Sequence, residues 1–332
     1  MATHARARHV FHAFALVIGA GALAVLVHQL GVEGLERVVI GTGWYFLALA
    51  AIDLASVLCD AAGVHSFVRR QAPVSYWRVF AAQASGLAIN RLTPGNSMGE
   101  PVKVTMLVEH VPATAAVSAI VLFNLATYAV AIATIVLGVP LTLVAIDLPG
   151  RAQLLVWGVT AVLVGLALAI VALARRGALG TLVDVARRGR LVSAARAGTW
   201  QAKVAAIDAQ VRQLGRPGSW RGGAFVLASR LLNSLGTIVV MVAADVPLTA
   251  PLVLAMLSIG IVITWLSNVV PLGLGVADGS NYALYGALGS TGAAGLVFTM
   301  INRARTCVLA LMGLTVMLVA NVADRAVATP ET

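Results

Sequence analysis

Two apolar stretches of this chain are broken in the middle, and no other feature constrains its fold as tightly. The first break reads Arg91-Leu-Thr-Pro-Gly-Asn-Ser-Met-Gly-Glu-Pro-Val-Lys103. The second reads Asn268-Val-Val-Pro-Leu-Gly-Leu-Gly-Val-Ala-Asp-Gly-Ser-Asn281. Each sets Pro, Gly and ionisable residues inside an apolar run. Backbone groups freed by such a break find no water in hydrocarbon, so protein or a wet cavity must shelter them. A matched pair of interrupted segments is the sequence pointer to a transporter's binding site.

The surroundings are those of a membrane protein. The 332 residues are 60% apolar and 11% charged, with a mean hydropathy of +0.93; soluble domains carry about 25% charged residues. Full spans are expected at Val10–Leu30, Gly41–Val68, Pro112–Gly138, Arg151–Ala174, Gly222–Ala244 and Thr291–Asn321, each reaching the roughly 20 residues a bilayer requires. The broken segments occupy Val79–His110 and Pro251–Ser290. The expected fold class is an all-α polytopic membrane protein, one integral membrane domain over 1–332. The first apolar run is too long for a signal-peptide core and reads as a retained span.

The net charge of +10 is concentrated. Between Arg175 and Arg221 lie ten Lys/Arg against Asp184 and Asp208. Placed between two spans, this linker, 175–221, reads as a cytoplasmic loop facing an anionic leaflet rather than nucleic acid. Cys59 and Cys307 fall inside spans, with neither a disulfide framework nor a zinc spacing. No cofactor or metal is expected.

Charge also sets topology. Arg6, Arg8, Arg69, Arg70, Arg78 and the 175–221 block belong in the cytoplasm, and the acid-bearing segments 31–40, 139–150 and 245–250 outside. The 79–110 segment must then return to the side it left. Its arms of about 12 residues reach roughly 18 Å, short of a crossing of about 30 Å. A re-entrant hairpin from the cytoplasm follows, with its tip at Thr93–Asn96. The 251–290 segment enters from outside, with its tip at Pro271–Asp278. The chain thus divides into a first repeat, 1–140, and a second, 141–325, of inverted topology. Each holds three transmembrane helices and one re-entrant helical hairpin, with both termini cytoplasmic.

Ionisable residues at membrane depth are costly and point to function. Arg91 and Lys103 flank the first tip and suit a phosphate, Arg91 through paired hydrogen bonds; a salt bridge from Arg91 to Glu100 or Asp60 is the structural alternative. Ser97-Met-Gly-Glu100 reads as a capping box, which turns a half-helix N-terminus and Asn96 toward an anion. Asp278 starts the second half-helix, where an N-cap role is equally open. Asn268 lies at the second break, and Asn302 precedes Arg303, taken as the inward-facing base of the last span. The substrate-binding set is Arg91, Asn96, Ser97, Glu100, Lys103, Asn268, Asp278, Asn302 and Arg303. Asp53 and Asp60, seven residues apart on one helix face, are coupling groups or ion-pair partners of Arg230. No His-Glu-x-x-His, Gly-x-Ser-x-Gly, Asp-rich diphosphate or ATP-binding motif appears, so no catalytic residue is assigned and an enzyme is not expected.

Pro94-Gly-x-x-x-Gly-Glu100-x-x-Lys103 and Leu266-Ser-Asn-x-x-Pro-x-Gly-x-Gly-Val276, followed by an Arg-bearing final span, resemble the two signatures of the lysylphosphatidylglycerol synthase transmembrane-region, or flippase-like, family. The first motif carries one extra residue, and Ala277-Asp278 stands where the family usually shows Glu. The resemblance extends over nearly the whole chain. It implies a stand-alone member without the aminoacyl-transferase domain, which should not synthesise lysyl-lipid.

The expected function is a lipid translocase of a bacterial-type inner membrane. It would move an anionic or zwitterionic (glyco)phospholipid or isoprenoid-type lipid between leaflets. A small-solute or ion-coupled transporter, a headgroup-modifying enzyme and a non-transporting adaptor in a lipid or envelope pathway are the rivals. Membrane lipids are the expected partners; a homodimer and a lipid-synthesising enzyme partner are left open.

Overall fold

A computed structural model describes residues 2–93, 95, 98–145, 150–175, 220–270 and 275–328. Among these the chain is all-helical, with eleven helices and no strand. In chain order they are α1 (Ala2–Leu30), α2 (Val32–Thr42), α3 (Trp44–Val68), α4 (Tyr76–Leu92), α5 (Gly99–Leu107) and α6 (Ala113–Ala145). Then follow α7 (Gly150–Arg175), α8 (Trp220–Ala243), α9 (Ala250–Ser267), α10 (Val276–Ala287) and α11 (Gly292–Ala328). Six, namely α1, α3, α6, α8, α9 and α11, contain stretches long and apolar enough to cross a membrane. Exposed Trp44, Trp77 and Trp220 stand in the first turns of α3, α4 and α8, where amphipathic rings suit a membrane–water boundary.

Both breaks exist, but their arms are uneven. The first joins 17-residue α4 to nine-residue α5, about 25 Å and 14 Å of helix. The second joins 18-residue α9 to 12-residue α10. The expectation of equal short arms is therefore corrected: helix α4 begins at Tyr76, before the apolar run, and α9 alone has the length of a span. The expected span at Gly41–Val68 starts at Trp44, because Gly43 (φ 59°) separates α2 from α3. The acid-bearing segment 31–40 is mostly helix α2 rather than loop, with Glu33 and Arg37 exposed on its surface. Linker residues 176–219, Asp147, Asn96, Ser97 and the tip residues 94 and 271–274 lie outside the described set.

Packing crosses the chain in a reciprocal way. Helix α3 lies along α8, α4 lies on α11, and α9 lies on α6. Each broken unit thus rests on the last long helix of the other half. One apolar cluster forms around α4 and α5, from Val64, Phe67, Ile89, Val102, Phe123 and Leu314. A second forms around α9 and α10, from Ile135, Val240, Leu252, Ile259, Tyr285 and Ile301. Buried His12 joins α1 to both α5 and α11, through Thr105 Oγ1 at 2.9 Å and Asn321 Oδ1 at 3.1 Å.

Small residues bring backbones together where hydrocarbon gives helices no hydrophobic reason to associate. Gly86 on α4 faces Gly99 on α5, and a Cβ on Gly99 would overlap the Gly86 carbonyl oxygen and the Asn90 side chain. Gly99→Ala should therefore lower the melting temperature in detergent by several degrees, through about 1–3 kcal/mol of overpacking. Gly158→Ala, inside α7 with open space around it, should leave it unchanged or raise it slightly. A Gly99→Ala melting curve superimposed on wild type would contradict the close approach.

Candidate functional site

The two breaks meet. The Gly95 N–H donates to the Asn268 carbonyl at 2.6 Å. Gly95 (φ 68°) and Gly275 (φ 77°) adopt the left-handed backbone each break requires, a region closed to most side chains. Beside this junction lies a cavity of about 450 Å³. Arg91 and Thr93 line it from the first break, and Ser267, Asn268, Ala277 and Asn281 from the second. Helices α6, α8 and α11 complete it with Thr127, Tyr128, Arg230, Asn233, Asn302, Arg303 and Arg305. Four arginines therefore face the cavity, and no Asp or Glu lines it among the described residues.

Three of these arginines are held from behind by aspartates. Arg305 donates Nη2 to Asp53 Oδ1 at 2.5 Å and Nε to Asp53 Oδ2 at 3.0 Å, the bidentate arrangement. Its Nη1 donates to Asn302 Oδ1 at 3.0 Å. Gly236 on α8 leaves the space in which this guanidinium lies. Arg230 Nη2 donates to both Asp60 oxygens at 2.8 Å and to Ser229 Oγ at 2.9 Å. Arg303 Nη2 donates to Asp278 Oδ2 at 2.5 Å, and the same oxygen accepts the Gly275 N–H at 3.0 Å. Ser56, Ser229 and Asn233 stitch α3 to α8 beside the Asp60 pair.

Arg91 differs from the other three. It occupies the last turn of α4, whose carbonyl end favours a cation. It stays exposed to the cavity while Leu92 and Thr93 beside it are buried. Among the described residues it makes no hydrogen bond or salt bridge. Asp53, Asp60, Arg230 and Arg305 are the charges that act on it.

The sequence-level site is therefore redrawn. Arg91, Asn268, Asn302 and Arg303 line the cavity as a group. Lys103 and Glu100 do not. They form a separate, partly buried knot: Glu100 Oε1 accepts from Lys103 Nζ at 2.8 Å and Asn90 Nδ2 at 3.1 Å, and Oε2 from Asn124 Nδ2 at 3.0 Å. Lys103 also sits over the Phe123 ring at 5.6 Å. In a helix as short as α5, neighbour packing sets the direction of each side chain, and here it turns this pair toward α4 and α6. The expected capping box is corrected too. Met98 is the N-cap, Glu100 is the second helical residue, and the Gly99 N–H is capped from α4 by Asn90 Oδ1 at 2.7 Å. Asp278 is the third residue of α10, reaching back to Gly275, and not its N-cap. Arg230 forms its salt bridge with Asp60 and not with Asp53; Asp53 takes Arg305, a base of the last span not in the expected set.

Several polar atoms at the cavity have no partner among the described residues: Thr127 Oγ1, Ser267 Oγ and Arg230 Nε. Ser267 is 7% exposed. Buried donors and acceptors of this kind are satisfied by water or ligand in native proteins. Tyr128 and Trp265 pack edge to face, 6.2 Å between centroids, and both line the cavity. No cluster of His, Cys, Asp and Glu among the described residues could hold a metal ion.

Removing Arg305 would strand the buried Asp53 carboxylate. Arg305→Ala should destabilise the fold by about 3–5 kcal/mol, and the double variant Asp53→Asn/Arg305→Gln by clearly less. Thermal melts in detergent check this; equal losses in both variants would argue against a coupled pair.

The matching family model is that of the Lysylphosphatidylglycerol synthase TM region, over residues 12–313. No curated protein and no solved structure matches the chain. A family match over nearly the whole length of a multi-pass membrane chain, with both of its broken segments built around one cavity, leads to one conclusion: the chain belongs to the Lysylphosphatidylglycerol synthase TM region family.

Proposed function

We propose that the protein is a lipid translocase that passes a phosphate-bearing headgroup through the arginine-lined cavity while the acyl chains stay in lipid. One observation carries this reading: a cavity of about 450 Å³, faced by four arginines, at the junction of two helix breaks in a membrane-spanning chain. That volume suits a small ligand group and is too small for a pair of acyl chains. Guanidinium groups match phosphate oxygens through parallel hydrogen bonds. The step makes and breaks no covalent bond, so this reading asks for no catalytic residue. The sequence carries no ATP-binding motif that would couple it to hydrolysis.

The same reading includes the inverted repeat, 1–140 and 141–325, with each broken unit a re-entrant hairpin. The reciprocal packing of α4 on α11 and α9 on α6, about the α3–α8 pair, supports it. So does the use of one acid per short helix, Glu100 on α5 and Asp278 on α10, each bonded to the long helix that follows its break. Rocking of one repeat against the other would then expose the cavity to each leaflet in turn. An inner-membrane location with both termini cytoplasmic belongs to this reading, as does a leaflet contact through linker 175–221.

Reconstituted in vesicles with fluorescent phospholipids and an outer-leaflet quencher, wild type should move lipid at least tenfold faster than protein-free vesicles. Arg91→Ala should return the rate close to background, at unchanged melting temperature. A wild-type rate equal to that of protein-free vesicles for every lipid offered would refute translocation.

A further inference from the structure

We infer that the lipid moved carries a headgroup with one net negative charge, borne by a phosphodiester, and that Arg91 is the residue that selects it. The inference rests on the translocase reading above and adds the charge class of its substrate.

Four guanidinium groups face the cavity, and three carboxylates, of Asp53, Asp60 and Asp278, hold three of them. One positive charge, that of Arg91, is left over. The tip residues outside the described set, 94, 96–97 and 271–274, are Pro, Asn, Ser, Pro, Leu, Gly and Leu, so they change neither sign nor balance. Glu100, on α5 beyond the first break, is tied to the Lys103 ammonium and two amides. An unpaired guanidinium at membrane depth is costly, and a single anion entering the cavity would neutralise the one that stands there. A second negative charge would go unpaired. An amine on the headgroup would meet four guanidinium groups and no carboxylate.

The remaining donors suit phosphodiester oxygens. Arg305 is committed through Nε, Nη1 and Nη2 to Asp53 and Asn302. Arg230 spends only Nη2, and its buried Nε has no partner among the described residues. Ser267 Oγ, nine-tenths buried at the mouth of the second break, is likewise unpartnered there. Arg91 would supply the charge, with Arg230 and Ser267 supplying fixed donors around it. Arg305 and Arg303 would act as positioning residues that keep Asp53 and Asp278 out of the cavity.

The test offers fluorescent phosphatidylglycerol and phosphatidylethanolamine to the same reconstituted full-length protein. Wild type should move phosphatidylglycerol at least tenfold faster. Arg91→Gln should erase that preference, and Arg91→Lys should keep most of it. Because the wild-type ratio is itself a readout, poor folding of a variant leaves the test intact. Equal wild-type rates for the two lipids, or faster phosphatidylethanolamine, would overturn the inference and leave translocation standing. If neither lipid moves, translocation fails, and uptake of soluble glycerophosphoglycerol decides the charge assignment. Uptake lost in Arg91→Gln would keep the phosphodiester site and make its substrate a solute; no uptake would overturn it.

Discussion

A helix broken at membrane depth needs partners for the backbone groups it frees, and here each break supplies the other. The Gly95 N–H meets the Asn268 carbonyl, so the ends of two distant segments are joined at a single point. That junction requires left-handed glycines at 95 and 275 and close glycine contacts between α4 and α5. It also places the C-terminal turn of α4 and the last residues of α9 on one wall. The cavity follows from this arrangement, since two helix ends that turn aside leave a space that long neighbouring helices cannot fill.

The wall of that space is governed by charge. Arginines on α8 and α11 would be intolerable in hydrocarbon without partners, and Asp60, Asp278 and Asp53 supply them at 2.5–2.8 Å. These pairs also join helices, α3 to α8, α3 to α11 and α10 to α11, so the same contacts that neutralise the wall hold the helices around it. Arg91 stands apart because it sits on the break itself, at a helix end whose dipole favours a cation. The fold neutralises three bases and leaves the fourth facing the cavity; in the proposed reading that charge is kept for a ligand.

Much of this was legible in the sequence, for definite reasons. Spans announce themselves by apolar length, and Pro94, Gly95, Pro271 and Gly275 interrupt those lengths visibly. Arg91 was legible because a base beside such a break has no cheap place to go. The direction of Lys103 was not. On a nine-residue helix it is set by Asn90 and Asn124, which reach Glu100 from other elements. Asn90 itself is an ordinary amide one residue before Arg91; its position in the last turn before a break is the only hint of its capping role. The choice of Arg305 for Asp53 was also hidden, because the two lie 252 residues apart and the rotation of α11 about its axis is fixed by packing. The longer first arm was not legible because polar Tyr76-Trp-Arg78 extends α4 beyond the apolar run that marks it.

Native mass spectrometry of lipid retained on the purified protein tests most directly whether the cavity between the breaks holds an anionic headgroup. The expected spectrum shows wild type carrying a singly anionic phospholipid that Arg91→Gln, folded to the same melting temperature, no longer retains. Retention of the same lipids in the same amounts by both proteins, or a retained set dominated by zwitterionic lipid, would contradict it.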